Sequence, residues 1–154
     1  MGKLNKMSEH MNNNHQITKS PNHQIGKIAA FCCNYTASVA TDTLREAGLI
    51  TESLDIKKLP CTGRIEVHAL LDAFEQGAEA VFVAGCRADE CHNLSGSRRA
   101  EKRVGYTKKL LKELDIDPGR IEMFFVHCGE TQPIVEAVRE MAKRISKLEQ
   151  LHST

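Results

Sequence analysis

The run Ala80-Val-Phe-Val-Ala84 constrains this chain most. Unbroken apolar runs of this length describe strands buried on both faces. Such strands belong to parallel sheets covered by helices on each side. Three other segments fit the same scheme. Residues 28–31 form a second apolar strand. Residues 53–59 form a weaker one, because Asp55 and Lys57 alternate with Leu54 and Ile56 before Pro60 stops it. Residues 121–126 form the fourth.

Helical patterns separate these strands. A helix is expected over 37–47, ended by Gly48 as its C′ residue. Val67, Leu70, Leu71 and Phe74 fall on one helical face, and Gly77 ends that helix. A long helix over 97–114 turns Val104, Leu110, Leu111 and Leu114 inward. A turn follows at Asp117-Pro118-Gly119. The last helix covers 132–148, with Thr131 as N-cap and Pro133 in the first turn. The order β-α-β-α-β-α-β-α predicts an α/β fold. It is a small doubly wound, flavodoxin-like, four-stranded parallel sheet with right-handed crossovers.

Residues 1–24 differ in kind. They are rich in Asn, His, Lys and Ser, and their few aliphatic residues show no period. They are expected to be a disordered tail. His10, His15 and His23 have no regular ligand spacing. The remainder, 25–150, is long enough for one domain with a real core. A net charge of +1 gives no electrostatic case for nucleic acid. No run reaches transmembrane length, and the N-terminus lacks the apolar core of a signal peptide. A cytoplasmic location without membrane insertion is therefore expected.

In that reducing setting, six cysteines call for metal ligation or redox work rather than a disulfide framework. Their positions sharpen the point. Cys32 and Cys33 close the first strand, Cys61 follows the second, Cys86 closes the third with Cys91 just beyond, and Cys128 follows the fourth. In a parallel sheet all of these lie along one edge, the edge where open α/β folds bind ligands. Soft ligands gathered there point to a metal centre, iron–sulfur foremost. The loops Phe31-Cys-Cys-Asn34, Pro60-Cys-Thr-Gly63 and Gly85-Cys-Arg-Ala-Asp-Glu-Cys-His92 supply the four thiolates that a 2Fe–2S cluster requires. Gly63 and Gly85 let backbone amides approach the sulfurs. Zinc would accept the same thiolates. A Cys86 nucleophile with His92 or His127 as base leaves the other cysteines unexplained. No Gly-rich dinucleotide fingerprint follows Cys33, and no flavodoxin-type phosphate loop is present. The helix over 97–114 carries many basic residues. Its later lysines read as a solvated face, whereas Arg98, Arg99 and Arg103 sit near the cysteine edge and suit either a cluster's negative charge or an acidic partner.

These motifs, taken in order, carry a resemblance. Phe31-Cys-Cys-Asn-Tyr35, Cys61-Thr-Gly-Arg64, Ala73-Phe-Glu-Gln-Gly-Ala78, Gly85-Cys-Arg-Ala-Asp-Glu-Cys-His92 and Arg103-Val104 together resemble the delta subunit of methyl-viologen-reducing hydrogenase, over about 25–148. The resemblance implies a 2Fe–2S protein relaying electrons to the flavin-containing subunit of a heterodisulfide reductase. The donor would be a hydrogenase, a formate dehydrogenase or another oxidoreductase, in a complex that can be electron-bifurcating. It implies no turnover by the isolated subunit. The family-matched ligands are Cys33, Cys61, Cys86 and Cys91. Thr36 departs from the family pattern, which has a cysteine there. Cys32 is the spare, because strand alternation points it away from Cys33; Cys32 and Cys128 are the possible substitute ligands. His92, Arg98, Arg99 and Arg103, beside Cys91, are the expected docking residues. A zinc-bound or cluster-free structural adaptor in the same kind of complex is the alternative.

Overall fold

The computed structural model describes residues 27–48, 53–87, 89–91, 93–127 and 130–153, with side chains omitted at 36–39 and 41–42. The tail, His92 and Cys128 lie outside the described residues. Within them the order is β1 (Ile28–Cys33), α1 (Asn34–Glu46), β2 (Leu54–Leu59), α2 (Val67–Glu75), β3 (Ala80–Cys86), α3 (Gly96–Glu113), β4 (Ile121–Val126) and α4 (Gln132–His152). Short 3-10 turns occur at Thr62–Arg64 and Pro118–Arg120.

The sheet runs β2-β1-β3-β4, and every neighbouring pair is parallel. Side-chain alternation on the central strands sorts the helices between its faces. Ile28, Ala30 and Cys32 with Phe82 and Ala84 pack against Leu44 of α1 and Ile134, Val138 and Met141 of α4. Ala29 and Phe31 with Val81 and Val83 pack against Leu70 and Ala73 of α2 and Val104 and Leu111 of α3. Each fully buried Leu, Ile or Phe contributes about 1.5–3 kcal/mol, so the two layers together hold the sheet between them. From β1 the chain crosses to β2 over one face, then returns past β1 to β3 and on to β4 over the other. Reversing both direction and face keeps one hand for every crossover. The reversal lies between β1 and β3, so the crevice above their carboxyl ends is the fold's natural binding position.

Burial in the sheet follows the sequence pattern, but Leu114, expected to turn inward, lies just past the end of α3 and is exposed. β1 and β3 are buried throughout, while β2 and β4 form partly exposed edges. At the β4 edge, Glu122 accepts from Lys108 of α3 at 2.9 Å and from Arg144 of α4 at 3.2 Å, so both helical layers are tied to one strand. Lys108 is therefore engaged, not simply part of a solvated face. Gly48 and Gly77 take φ of +68° and +102°, the left-handed conformation that ends α1 and α2.

Two local details depart from expectation. α1 begins at Asn34, with no intervening loop, and Cys33 itself takes the N-cap position. Asn34, Tyr35 and Thr36 have modest helix propensity, which hides this first turn; burial of Ala40 and Leu44 anchors the helix instead. Thr131 occupies the N-cap of α4 but its hydroxyl makes no capping bond, and the helix extends beyond 148 to His152.

Candidate metal centre

Cys33 and Cys86 terminate the two central strands, one on each side of the switch point. They have opposite parity along their strands, yet their sulfurs meet at 3.9 Å. Both lie past the last β1–β3 bridge, Cys32 with Ala84, while each still pairs with its outer neighbour, Cys33 with Leu59 and Cys86 with Val126. Two thiolates at about 2.3 Å from a tetrahedral metal stand about 3.8 Å apart. This pair therefore already has the spacing of two ligands on one metal.

Cys61 and Cys91 both come to the start of α3. Cys61 follows β2 and caps the 3-10 turn, its sulfur accepting from the Gly63 amide at 3.4 Å. Cys91 lies in the loop that leads into α3. Both sulfurs converge on Gly96, the first residue of that helix. A Cβ there would collide with Cys61 Sγ and lie 3.4 Å from Cys91 Sγ. Burial works against ionising Cys91, but the amides of Ser97, Asn93 and Gly96 outweigh it and lower the thiol's pKa. A helix N-terminus that presents amides to sulfur is suited to negative charge.

The loops bearing these cysteines are locked together by close packing. A Cβ on Gly63 would stand 2.6 Å from the Gly96 Cα. One on Gly85, next to Cys86, would stand 2.9 Å from Thr62 Oγ1 and 3.5 Å from Ser97 Cβ. Arg103 of α3 reaches over the same loop and donates to the carbonyls of Gly63 at 2.7 Å and Ile65 at 2.5 Å. Across the loop after β3, Glu90 bonds His127 Nδ1 at 2.7 Å, tethering the Cys91 segment to the end of β4. His127, considered as a base for Cys86, thus has a carboxylate partner.

Cys32 lies apart from all of this. It is buried between Ala30, Leu44 and Phe82, and burial, reinforced by Cys33, pushes its thiol up to about 12. The five described cysteines form no disulfides. Among the described residues, no three His, Cys, Asp or Glu side chains gather around a single point as a metal group. Cys33 and Cys86 meet as one sulfur pair, and the Cys61 and Cys91 sulfurs both lie against Gly96. Thiol donors, glycines without Cβ at the contact points and inward amides make a donor set that suits a 2Fe–2S cluster.

A family model described as methyl-viologen-reducing hydrogenase, delta subunit, matches residues 28–149. The chain belongs to that delta-subunit family. It is 40% identical over 122 residues to an F420-non-reducing hydrogenase vhu iron–sulfur subunit of Methanocaldococcus jannaschii, covering 79% of this chain and 91% of that protein. Against the corresponding protein of Methanopyrus kandleri it is 40% identical over 124 residues, covering 79% and 92%. It is also 29% identical over 122 residues to one component of the ferredoxin:CoB-CoM heterodisulfide reductase of Methanosarcina mazei. There the match covers 79% of this chain but only 15% of that protein.

The rim of the cysteine edge carries exposed apolar side chains. Leu94, between Cys91 and Gly96, is 86% exposed and holds a left-handed backbone at φ 55°. Tyr35 after Cys33 and Phe125 near the end of β4 are also exposed. Phe125 shares a shallow depression with Arg87, Asp89, Arg98, Glu101 and Lys102. Of the expected docking residues, Arg98 and Arg99 are exposed at the start of α3. Arg103 is half-buried, its guanidinium turned onto the Cys61 loop. Thr36 lies in the first turn of α1. No helix among the described residues is long and apolar enough to cross a membrane.

Proposed function

We propose that this protein is an electron-transfer subunit holding a 2Fe–2S cluster on Cys33, Cys61, Cys86 and Cys91. In this reading it relays electrons between a donor module, such as a hydrogenase or formate dehydrogenase, and the flavin-containing subunit of a heterodisulfide reductase-like complex. The observation that carries the reading is the pairing of the sulfurs. A two-iron rhomb takes two thiolates on each iron, whereas one tetrahedral zinc takes four around one point. Cys33 with Cys86 supports one such pair, and Cys61 and Cys91, both against Gly96, are the candidates for the other. The relatives named as iron–sulfur subunits support the same assignment.

When bound, such a cluster supplies a one-electron carrier. The chain's own part is to hold it and set its surroundings. Cys33 and Cys86 place one ligand pair at the switch point. The Gly63 amide donates toward Cys61, and the amides before and at the start of α3 face Cys91, favouring thiolate charge. Gly96 leaves room for the Cys61 and Cys91 sulfurs side by side. Arg98, Arg99, Leu94 and Phe125 surround that edge with exposed charge and apolar surface suited to a protein partner. The stretch of the Methanosarcina heterodisulfide reductase component that is similar to this chain supports a partner of that kind. A domain fused into one protein often meets the same neighbour when it stands as a separate chain in another.

Anaerobic purification of the full chain tests the reading. We expect a brown protein with iron and acid-labile sulfide in equal amounts and a paramagnetic reduced state. Its copurifying partners should include a flavoprotein. Stoichiometric zinc without iron would refute the cluster and leave a structural adaptor.

A further inference from the structure

We propose that the buried Ser97 hydroxyl is a tuning donor that hydrogen-bonds a sulfur of the group held by Cys61 and Cys91, raising its reduction potential. This rests on the cluster reading above and adds to it a residue that is not a ligand. Ser97 is the second residue of α3 and fully buried. Its Oγ has no hydrogen-bond partner among the described residues. A buried hydroxyl without a partner is costly, so one held here calls for an acceptor.

The surroundings indicate where that acceptor lies. Gly96, immediately before Ser97, is the point on which the Cys61 and Cys91 sulfurs converge. The Ser97 amide and side chain both face Cys91. Ser97 Cβ also lies near Gly85, the neighbour of Cys86. The side chain is thus enclosed by residues adjoining three of the four proposed ligands, at an 18-residue helix's N-terminus that already favours negative charge. A hydroxyl has one proton to donate, and sulfur is the acceptor chemistry within reach. Reduction adds negative charge to the sulfurs, so a donor stabilises the reduced state more than the oxidised one. Ser97 is accordingly a positioning and tuning residue, not a ligand.

The test is potentiometric titration of the anaerobically purified full chain, wild type against Ser97→Ala, followed by absorbance and paramagnetic resonance. Loss of one charge-assisted hydrogen bond should lower the reduced-to-oxidised ratio at fixed ambient potential on the order of tenfold, about 59 mV for a one-electron couple. Ser97→Thr, which keeps a hydroxyl, should restore most of the shift, and its isostere Ser97→Val should not. The Thr and Val pair decides the matter if Ser97→Ala fails to load. Equal potentials in the hydroxyl-bearing and hydroxyl-free variants, each with the cluster intact, would overturn the proposal while leaving the cluster reading standing. Wild-type protein without iron would instead remove the cluster reading itself, and this inference with it.

Discussion

Gly63 lies directly against the backbone of Gly96, so close that a Cβ on Gly63 would stand 2.6 Å from the Gly96 Cα and 3.0 Å from its carbonyl oxygen. The contact joins the loop carrying Cys61 to the start of α3, and no flexible side chain is available to yield.

Gly63→Ala should therefore force the Cys61 loop off α3. The expected loss is about 1–3 kcal/mol in chemical denaturation, typical of overpacking. Gly105 is the control. It lies in the middle of α3 and is exposed, and a Cβ there meets nothing within 4 Å. Gly105→Ala should stabilise by about 0.5–1 kcal/mol, since only helix propensity changes. Equal effects at the two positions would show that the close approach is unimportant.

Arg103 secures the same loop from above, through bonds to the carbonyls of Gly63 and Ile65. Both bonds leave one nitrogen, Nη1; lysine keeps the charge, but its ammonium ends one bond nearer the backbone and falls short of both carbonyls. Arg103→Lys should therefore behave nearly as badly as Arg103→Met, each losing roughly 1–2 kcal/mol. Hydrogen exchange at the amides of Arg64 and Ile65, which close the 3-10 turn, should speed up in both variants. Full protection in Arg103→Lys would mean that charge alone holds the loop.

The sequence exposed the sheet because its strands differ so plainly. Ala80–Cys86 has no polar residue to suggest an exposed face, while Asp55 and Lys57 mark β2 as an edge. The edge that gathers the cysteines followed from parallel strands alone. The pairing of Cys33 with Cys86 did not, because the parity rule would place them on opposite faces. The bonds of Arg103 were equally hidden: they run to backbone carbonyls, which no side-chain pattern encodes. The left-handed backbone of Leu94 was hidden as well, since a leucine in a polar loop carries no mark of a positive φ.

Cys32 should show as an alkaline weakness of the metal-free protein. Burial, aided by Cys33, raises its folded pKa to about 12, above the ordinary thiol value near 8.5. The folded state thus keeps a proton that the unfolded state releases. The resulting stability is fully present below about 8.5 and declines as pH rises from there toward 12, with a limiting slope of about 1.4 kcal/mol per unit. Cys32→Ala should flatten that decline in denaturation curves. Alkylation mapped by mass spectrometry near pH 8 should label Cys91 well before Cys32. An unchanged alkaline slope together with early labelling of Cys32 would contradict its packed position.

Arg98 and Arg99 make the docking proposal separable from folding. Both are exposed, so Arg98→Glu with Arg99→Glu should cost little stability, within about 0.5 kcal/mol. It should weaken copurification with the flavoprotein partner, most clearly at low salt, where exposed charges are least screened. The cluster spectrum should not change. Identical partner recovery at low and moderate salt would assign these arginines to solvent.

Leu94 gives the sharpest contrast between stability and association. A leucine with φ of 55° costs about 1–2 kcal/mol, and at 86% exposure the side chain recovers little of that within the isolated protein. Asparagine tolerates the left-handed region better than leucine. Leu94→Asn should therefore leave the isolated protein as stable or up to about 1 kcal/mol more so. If Leu94 is held beside Cys91 to meet a partner, the same substitution should weaken the complex several-fold, because the apolar contact is lost while the loop shape is kept. Denaturation of the isolated protein and pull-down of the complex should then move in opposite directions. A variant that is both more stable and equally well bound would leave Leu94 with no part in docking.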